Sequence, residues 1–540
     1  MVWALATGYN LFKPYHIDDA AHLEIARWIG SHPLHPMSGT LNWSGVEEPI
    51  WRTNQPHLYF YILAIWGRLF GFSEPAMHAL QSIATLACVF LFHRLVRAFP
   101  VRSPAWTTAM LVLGPAFIVE QNLMVDTPLL AAWLAFFNLL ICGARDPNQT
   151  RRYGLAGLAC TAALLIKYSS LVLLPILCIS LLLERRRQQA WTAAIPLVGL
   201  AAWSAFNYLD YGGVHIATRP LSADHHALQP LEFAIAWIVG LGALTPIGVI
   251  AAFHSRASWA RRDWLVYLGI SAAFVALIGA VALGFLSDAM ADKILWLVFA
   301  ANGALICLLA PFDGVSLVRH ALRGRADLIN AAPQIYLVLW IAGTTAFYVL
   351  FSPFIAARHI LLILPAVLLL FAVKWGRDIT KRSMIFGLAA TISVSAGLCI
   401  SDWRFAAFYR TEAFALARSL PKTGTLWASG HWGWQWYARQ AGFKEVDVKS
   451  SKFAPGDIIV VPEQPDYEMP HQPVSLRIIR SDRQDVTFMD PFCTGRSMRL
   501  YEYTFREAPW SLSRSCSNTI DIYRVAKALK RPGGSNFSPF

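Results

Sequence analysis

Charge is what this sequence has least of. Only 15% of its 540 residues are Asp, Glu, Lys or Arg, while 56% are hydrophobic; a soluble globular chain usually carries about a quarter charged residues. The shortage excludes an ordinary soluble domain and points to a membrane protein. Cysteine is sparse as well. Six of the eight (Cys88, Cys142, Cys160, Cys178, Cys307 and Cys399) fall inside apolar runs, where a small soft hydrophobe is the ordinary explanation, and no metal-ligand spacing occurs among them. Cys493 and Cys516 sit in the polar C-terminal part, and a disulfide between them is expected if that part lies in an oxidising compartment. There is no internal repeat. Residues 1–12 are apolar but lack the basic start of a signal peptide, and read as the outer end of a first helix whose beginning is missing.

What the chain does have is long uncharged runs. Thr127–Ala144, Ala190–Leu209, Phe233–Ser255, Trp264–Ser287, Ile294–Phe312, Leu328–Ala357 and Ser383–Ser401 each approach or exceed the ~20 residues that cross a bilayer. Shorter apolar runs at 76–93, 105–119, 153–166, 168–183 and 359–373 bring the expected total to about twelve spans, or about thirteen with the N-terminal helix. Lys and Arg outnumber Asp and Glu by 46 to 33, and the excess recurs at every second loop: Arg94/Arg97/Arg102, Arg145/Arg151/Arg152, Arg185/Arg186/Arg187, Arg256/Arg261/Arg262, Arg319/Arg323/Arg325 and Lys374/Arg377/Lys381/Arg382. By the positive-inside rule these loops are predicted to be cytoplasmic. Apart from the long N-terminal loop, the intervening loops carry only Lys167, Arg219, Lys293 and Arg358 and should face outward. The cation excess is thereby a topology signal, and nucleic acid is not an expected partner.

Two regions follow. Residues 1–401 read as a transmembrane domain with an outward first loop over 13–75, whose stretch His57–Phe72 is amphipathic and suited to the membrane surface. From 402 to 540 the composition is that of a small α/β domain, predicted to be periplasmic, with strand-like runs at Asp457–Val461, Ser475–Ile479 and Thr519–Tyr523 and helical periodicity at Glu412–Leu420 and Trp434–Gln440. Residues 530–540 read as a loose tail. The run Ser429–Tyr437, rich in Trp, fits an aromatic core helix better than a sugar platform.

Chemistry must come from the few polar residues on the outward side. Asp18-Asp19-Ala20-Ala21-His22 opens the first loop; an Asp at such a point commonly caps a helix, and that reading stands beside a catalytic one. Further on come Asn54-Gln55-Pro56-His57, Val125-Asp126-Thr127-Pro128, Leu165-Ile166-Lys167-Tyr168 and Ala357-Arg358-His359, ending in Pro365. Lys167 and Arg358 are lone cations at the outer ends of apolar runs, where an ionisable residue is functional by default or snorkels to headgroups. Asp126 is too short to snorkel, though it could begin a helix ahead of Pro128.

In order and placement these segments resemble the GT-C superfamily of glycosyltransferases, in particular the bacterial branch of protein O-mannosyltransferase-like enzymes and the lipid A aminoarabinose transferase. The resemblance covers nearly the whole chain. It implies an all-α polytopic fold with a small C-terminal α/β domain and transfer of a sugar from a polyprenyl-phosphate donor to a lipid, glycan or protein acceptor, at the periplasmic side of a bacterial inner membrane. It also implies roles: Asp18 as catalytic carboxylate with Asp19 beside it, Asp126 as the second acid, and Lys167 and Arg358 on the donor phosphate. The Pro56 segment matches the family's first-loop element, with Asn54 and Gln55 where the lipid A branch has Glu and Lys. A divalent metal is possible, since some members of the superfamily use one; His57, Asp224, His225 and His226 mark its vicinity or the acceptor's. Inverting transfer needs a carboxylate to take the acceptor's proton and cations against the leaving phosphate, which is the chemistry these residues can supply. A secondary transporter or lipid-carrier flippase is the rival reading, and a polysaccharide ligase or polymerase a third.

Overall fold

The computed structural model describes the chain except residues 44, 53–54, 219–227, 255–262, 324–328, 377–378, 464–473, 485–491, 494–498, 515–517 and 529–540. Seven of the described helices are long and apolar enough to cross a membrane: Glu74–Arg97, Asp126–Ala144, Arg187–Tyr211, Trp264–Ala282, Asp288–Leu308, Ala332–Phe351 and Lys381–Ser419. Shorter apolar helices run over Leu58–Phe70, Tyr168–Leu183, Gln229–Leu244 and Leu364–Trp375. The all-helical polytopic class is as expected. The count of about thirteen is not reproduced, because several apolar runs do not form single spans.

The breaks have local causes. Phe233–Ser255 divides into helices Gln229–Leu244 and Ile247–His254. Pro246 lacks an N–H and forces the residue before it out of the helical region, so Thr245 is extended at φ −155°, ψ 136°. The run 105–119 likewise divides at Gly114-Pro115 into Pro104–Val112 and Pro115–Val119. Lys167, extended at φ −155°, ψ 131°, separates the Gln149–Ile166 helix from the turn that begins at Tyr168.

Phe90, Leu182, Val198, Val275 and Ile385 point outward from the bundle, as lipid-facing positions should. Inside, Phe137 stacks on Trp340 at 4.0 Å between ring centroids, the Trp133 Nε1–H donates to Ser170 Oγ at 2.9 Å, and the Trp340 Nε1–H donates to the Leu362 carbonyl at 2.8 Å. Where lipid already surrounds the helices, such packing and satisfied polar groups hold them together.

The two ends of the bundle differ. At one end Arg152, a member of one of the basic loop clusters, is buried. Its guanidinium grips Glu184 through two bonds of 2.7 and 2.8 Å and donates to the Leu139 carbonyl. Eighteen residues of helix, Gln149–Ile166, carry the chain about 27 Å to Lys167 at the other end. Asp126 lies at that second end too, at the start of the helix whose far turns meet Arg152.

The C-terminal region joins the same end as Lys167 and Asp126. Its five-stranded mixed sheet has the order Lys444–Glu445, Leu426–Ala428, Ile458–Pro462, Thr519–Ala528, Val474–Arg483; the first three strands are parallel and the last two antiparallel. The strand-like runs Ser475–Ile479 and Thr519–Tyr523 fall within these strands, and Asp457–Val461 is offset by one residue from Ile458–Pro462. The expected boundary at 401 does not mark a break, since one helix of 39 residues, Lys381–Ser419, carries the chain through it. The polar character of 402–419 reflects a helix that has left the apolar layer, and the periodicity at Glu412–Leu420 is its last part. The Trp432–Gln440 helix packs inward as expected, with Trp434, Trp436 and Tyr437 all buried. It also clasps the first loop: Tyr437 OH accepts from the Tyr15 amide at 2.8 Å and donates to Glu74 at 2.8 Å.

Beneath that clasp lies a closed polar network. Lys13 pairs with Asp402 and donates to Asn122 Oδ1 at 2.7 Å, Tyr501 OH donates to Asp402 at 2.9 Å, and Asn122 Nδ2–H donates to Tyr501 OH at 3.2 Å. His16 Nε2 stands 3.2 Å from Asp402. Four separate segments are thereby fastened around one buried carboxylate, which is tolerable only because its cation and hydrogen bonds are supplied. Cys516, one half of the expected Cys493–Cys516 disulfide, lies outside the described residues.

Candidate active site

The site is assembled by two loops zipped together. The segment 118–126 receives the first loop through a series of bonds: Asn10 Nδ2–H donates to the Gln121 carbonyl, the Leu123 amide donates to Asp19 Oδ1 at 2.7 Å, and His22 Nδ1 meets the Leu123 carbonyl at 2.7 Å. Asp19 Oδ2 also accepts from the His16 amide at 2.8 Å. Its carboxylate is therefore occupied on both oxygens and wholly buried. Burial pushes its pKa up to about 7 against the opposing pull of those amides. Both oxygens of Asp19 thus hold the first loop against the 118–126 segment.

Asp18, one residue earlier, is free to do something else. It occupies the N-cap position of the Asp19–Ser31 helix, yet its side chain makes no capping bond. Instead Oδ2 accepts from Arg358 Nη1 at 3.2 Å, 340 residues away in sequence. Arg358 is delivered by the short Ala357–Leu361 helix, which is held from outside: the Ala357 amide donates to the Leu500 carbonyl at 2.9 Å, and Ile355 bridges Tyr503. The C-terminal region therefore helps to set Arg358.

A second pair lies alongside. Lys167 Nζ donates to Asp126 Oδ1 at 2.7 Å, and both residues are buried. The break at Lys167 matters here, because an extended residue at the end of a helix can turn its side chain inward while a helical one would continue around the cylinder. Tyr348 lies under Lys167, its ring 6.0 Å from Nζ, and stacks on His359 at 4.1 Å; Arg358 stands over the Phe354 ring at 5.3 Å. The four residues singled out by the sequence thus converge as two carboxylate–cation pairs. Such pairs are costly to bury, so an anion that took over the cations would be well matched.

One member of the cluster was not anticipated. Glu120 is fully buried, and among the described residues neither of its carboxylate oxygens has a hydrogen-bond partner. Its pKa is pushed up to about 8, by burial first; Arg358 and Lys167 pull it down, while Asp126 and Asp18 raise it. The sequence carried one signal for it: Glu120 is the sole acid between Glu74 and Asp126.

His57 lies to one side, buried, its ring 5.2 Å from Phe60 and 5.9 Å from Trp203; burial holds its pKa well below the usual range, so the ring is neutral. Its neighbour His215 shares a 2.9 Å bond with Tyr168 OH. Among the described residues no three His, Cys, Asp or Glu side chains converge as a metal-ligand set. Asp224, His225 and His226, the expected vicinity of a metal or acceptor, lie outside the described residues, as does Asn54.

Fold and site together define a polytopic membrane protein with a buried acid–cation cluster at one end of its helix bundle. Residues 54–207 match the family model of dolichyl-phosphate-mannose-protein mannosyltransferase. The chain is 29% identical over 238 residues to the undecaprenyl phosphate-alpha-4-amino-4-deoxy-L-arabinose arabinosyl transferase of Shewanella sediminis, covering 43% of this chain and 39% of that relative's length. Among solved structures it aligns with ArnT from Cupriavidus metallidurans bound to undecaprenyl phosphate, at 14% identity, 86% and 91% coverage and a TM-score of 0.37. It also aligns with the Archaeoglobus fulgidus oligosaccharyltransferase, at 11% identity, 83% and 62% coverage and a TM-score of 0.42. The family match over residues 54–207 and the curated relative agree with the resemblance carried by the motifs, and the chain spans about two fifths of that relative's length.

Proposed function

We propose that the protein transfers a sugar from a polyprenyl-phosphate carrier to a lipid, glycan or protein acceptor at the outer face of the cytoplasmic membrane. The observation that carries this reading is the convergence of Asp18–Arg358 and Asp126–Lys167 in one buried cluster. A phosphodiester donor brings one negative charge, and Lys167 and Arg358 supply cations against it that strengthen as the sugar–phosphate bond breaks. Displaced from Arg358, the Asp18 carboxylate becomes available to accept the acceptor's proton while the hydroxyl attacks the anomeric carbon from the opposite side, which inverts the configuration. Asp126, with Oδ2 unpaired among the described residues, holds Lys167 in place and tempers its charge. The family match and the curated relative support a lipid-phosphate sugar as donor.

The test is direct. Purified protein in detergent, given a radiolabelled polyprenyl-phosphate sugar, should release the label from the lipid; a flippase would leave the donor intact, and a polymerase would require a lipid pyrophosphate.

Orientation is tested separately. Arg186 belongs to the end opposite the cluster, beside Glu184 at 3.5 Å, and Ser450 lies in the C-terminal region. Single cysteines at 186 and 450 are expected to react with an impermeant thiol reagent from opposite sides of the membrane, with 450 labelled in intact cells. Labelling of both from the same side would end the topological part of the proposal.

A further inference from the structure

The segment that carries Glu120 is fastened at almost every other position. The Gln121 side chain is held by Thr85 and by the Phe117 carbonyl, Asn122 by Lys13 and Tyr501, Leu123 through its backbone by Asp19 and His22, and Met124 through its carbonyl by Gln81. Even the Glu120 carbonyl is bound, by the Thr127 hydroxyl at 3.0 Å. Only the carboxylate is left over, wholly buried and within the field of both ion pairs. A rigid loop that ties down each neighbour and leaves one buried carboxyl unpartnered has set that carboxyl aside for a group the resting protein does not contain.

The charges say what that group is. Asp18 and Asp126 already balance Arg358 and Lys167, so Glu120 ionised would be an uncompensated buried charge, whereas Glu120 protonated leaves the cluster neutral. Bound donor adds one negative charge, and the departing phosphate develops another. On the reading proposed above, on which this inference rests, we infer that Glu120 is a catalytic general acid that gives its proton to the lipid phosphate as it leaves the sugar. The acceptor O–H bond breaks and its proton passes to Asp18, while the acceptor oxygen bonds to the anomeric carbon. The bond from that carbon to the phosphate oxygen breaks, its electron pair stays on the oxygen, and the Glu120 proton joins it. The products are the glycoside, a lipid phosphate monoanion, protonated Asp18 and ionised Glu120; transfer of the Asp18 proton to Glu120 restores the site. The net charge of the cluster and its bound lipid is therefore the same after the transfer as before it.

The groups that face Glu120 are Asp18 from the first loop, Asp126 and Lys167 from the helix ends, Arg358 from its short helix, and the phenols of Tyr9 and Tyr501. Behind Tyr501 on the long helix lies Asp402, neutralised by Lys13. With its pKa near 8, Glu120 keeps its proton at neutral pH and loses it above, so turnover should fall as pH rises through that value.

The experiment uses full-length protein in detergent with radiolabelled mannosyl and aminoarabinosyl undecaprenyl phosphate, following label release from pH 6 to 10. Glu120→Gln is expected to lower kcat by about a hundredfold, the usual worth of a positioned acid, with KM within a few-fold and the alkaline fall abolished. Glu120→Asp should regain part of the rate and retain the alkaline fall. A merely structural Glu120 would move thermal stability and leave the pH profile unchanged; that result, or turnover of Glu120→Gln within threefold of wild type, overturns the proposal while leaving the transferase reading intact. A loss confined to KM for the aminoarabinosyl donor also overturns it, since the carboxylate would then be a partner for the sugar's ammonium. No release from either donor by the wild-type protein removes the transferase reading and this inference together.

Discussion

Asp18→Asn is expected to lower sugar transfer by about a hundredfold or more, with the protein still folded and still binding the donor, because the substitution removes the basicity proposed to take the acceptor's proton. Asn caps helices about as well as Asp, and the Asp18 side chain makes no capping bond in any case, so helix stability offers no competing explanation. Arg358 keeps a polar neighbour in the amide. Asp19→Asn makes a useful contrast. Its carboxylate accepts two backbone N–H groups, and an amide can accept through only one of its two atoms, leaving a buried donor facing a donor. That should cost about 1–3 kcal/mol of stability while turnover per folded molecule stays within a few-fold. Near-normal turnover by Asp18→Asn, on a donor and acceptor the wild-type enzyme uses, would remove the base from the mechanism.

Lys167→Met is expected to damage both folding and function, and the two can be separated. Removing one partner of a buried ion pair leaves the other charge uncompensated, at a cost of about 3–5 kcal/mol, so the single variant should unfold at lower temperature or denaturant concentration. Adding Asp126→Asn removes the orphaned charge and should recover most of the stability. It should not recover activity, because the cation proposed to meet the donor phosphate in both ground and transition states is still missing. Donor binding should weaken along with turnover. A double variant that transfers sugar at the wild-type rate would show that the pair is structural and that Arg358 alone meets the phosphate.

The residues that could be read from the sequence share a physical trait. Asp18, Asp126, Lys167 and Arg358 are charges at the edges of long apolar runs, and an isolated charge in such company is conspicuous because the membrane makes it expensive. Their pairing could not be read, since Asp18 and Arg358 lie 340 positions apart and only the fold brings them together. Glu120 escaped notice because Gln121 and Asn122 follow it, and three polar residues between apolar segments look like an ordinary exposed turn. Burial gives them another meaning, and burial there depends on the first loop and the C-terminal region closing over the turn. Lys13 and Arg152 are similar cases, each resembling a surface cation until its distant carboxylate is known. The division of apolar runs was partly legible, through Pro246 and Gly114-Pro115, but hydropathy alone registers such a run as continuous.

The helix Lys381–Ser419 also bears on how this protein could be taken apart. At 39 residues it is about 58 Å long at 1.5 Å per residue, nearly twice the ~30 Å of bilayer hydrocarbon, so about half of it stands clear of the membrane as a rigid post. A chimera meant to exchange C-terminal regions between relatives would ordinarily be joined where the hydropathy ends, at 401. That junction falls mid-helix, one residue before Asp402, and would bring in the post without the Lys13 that neutralises its carboxylate and the His16 beside it. A junction after Leu420 leaves the post and its electrostatics intact, but the incoming domain must then bring its own counterparts of Tyr501 and of the 500–503 segment that positions Arg358. The exchangeable unit is therefore a sheet together with a strap, and a graft that omits the strap should fold and anchor yet leave the arginine misplaced.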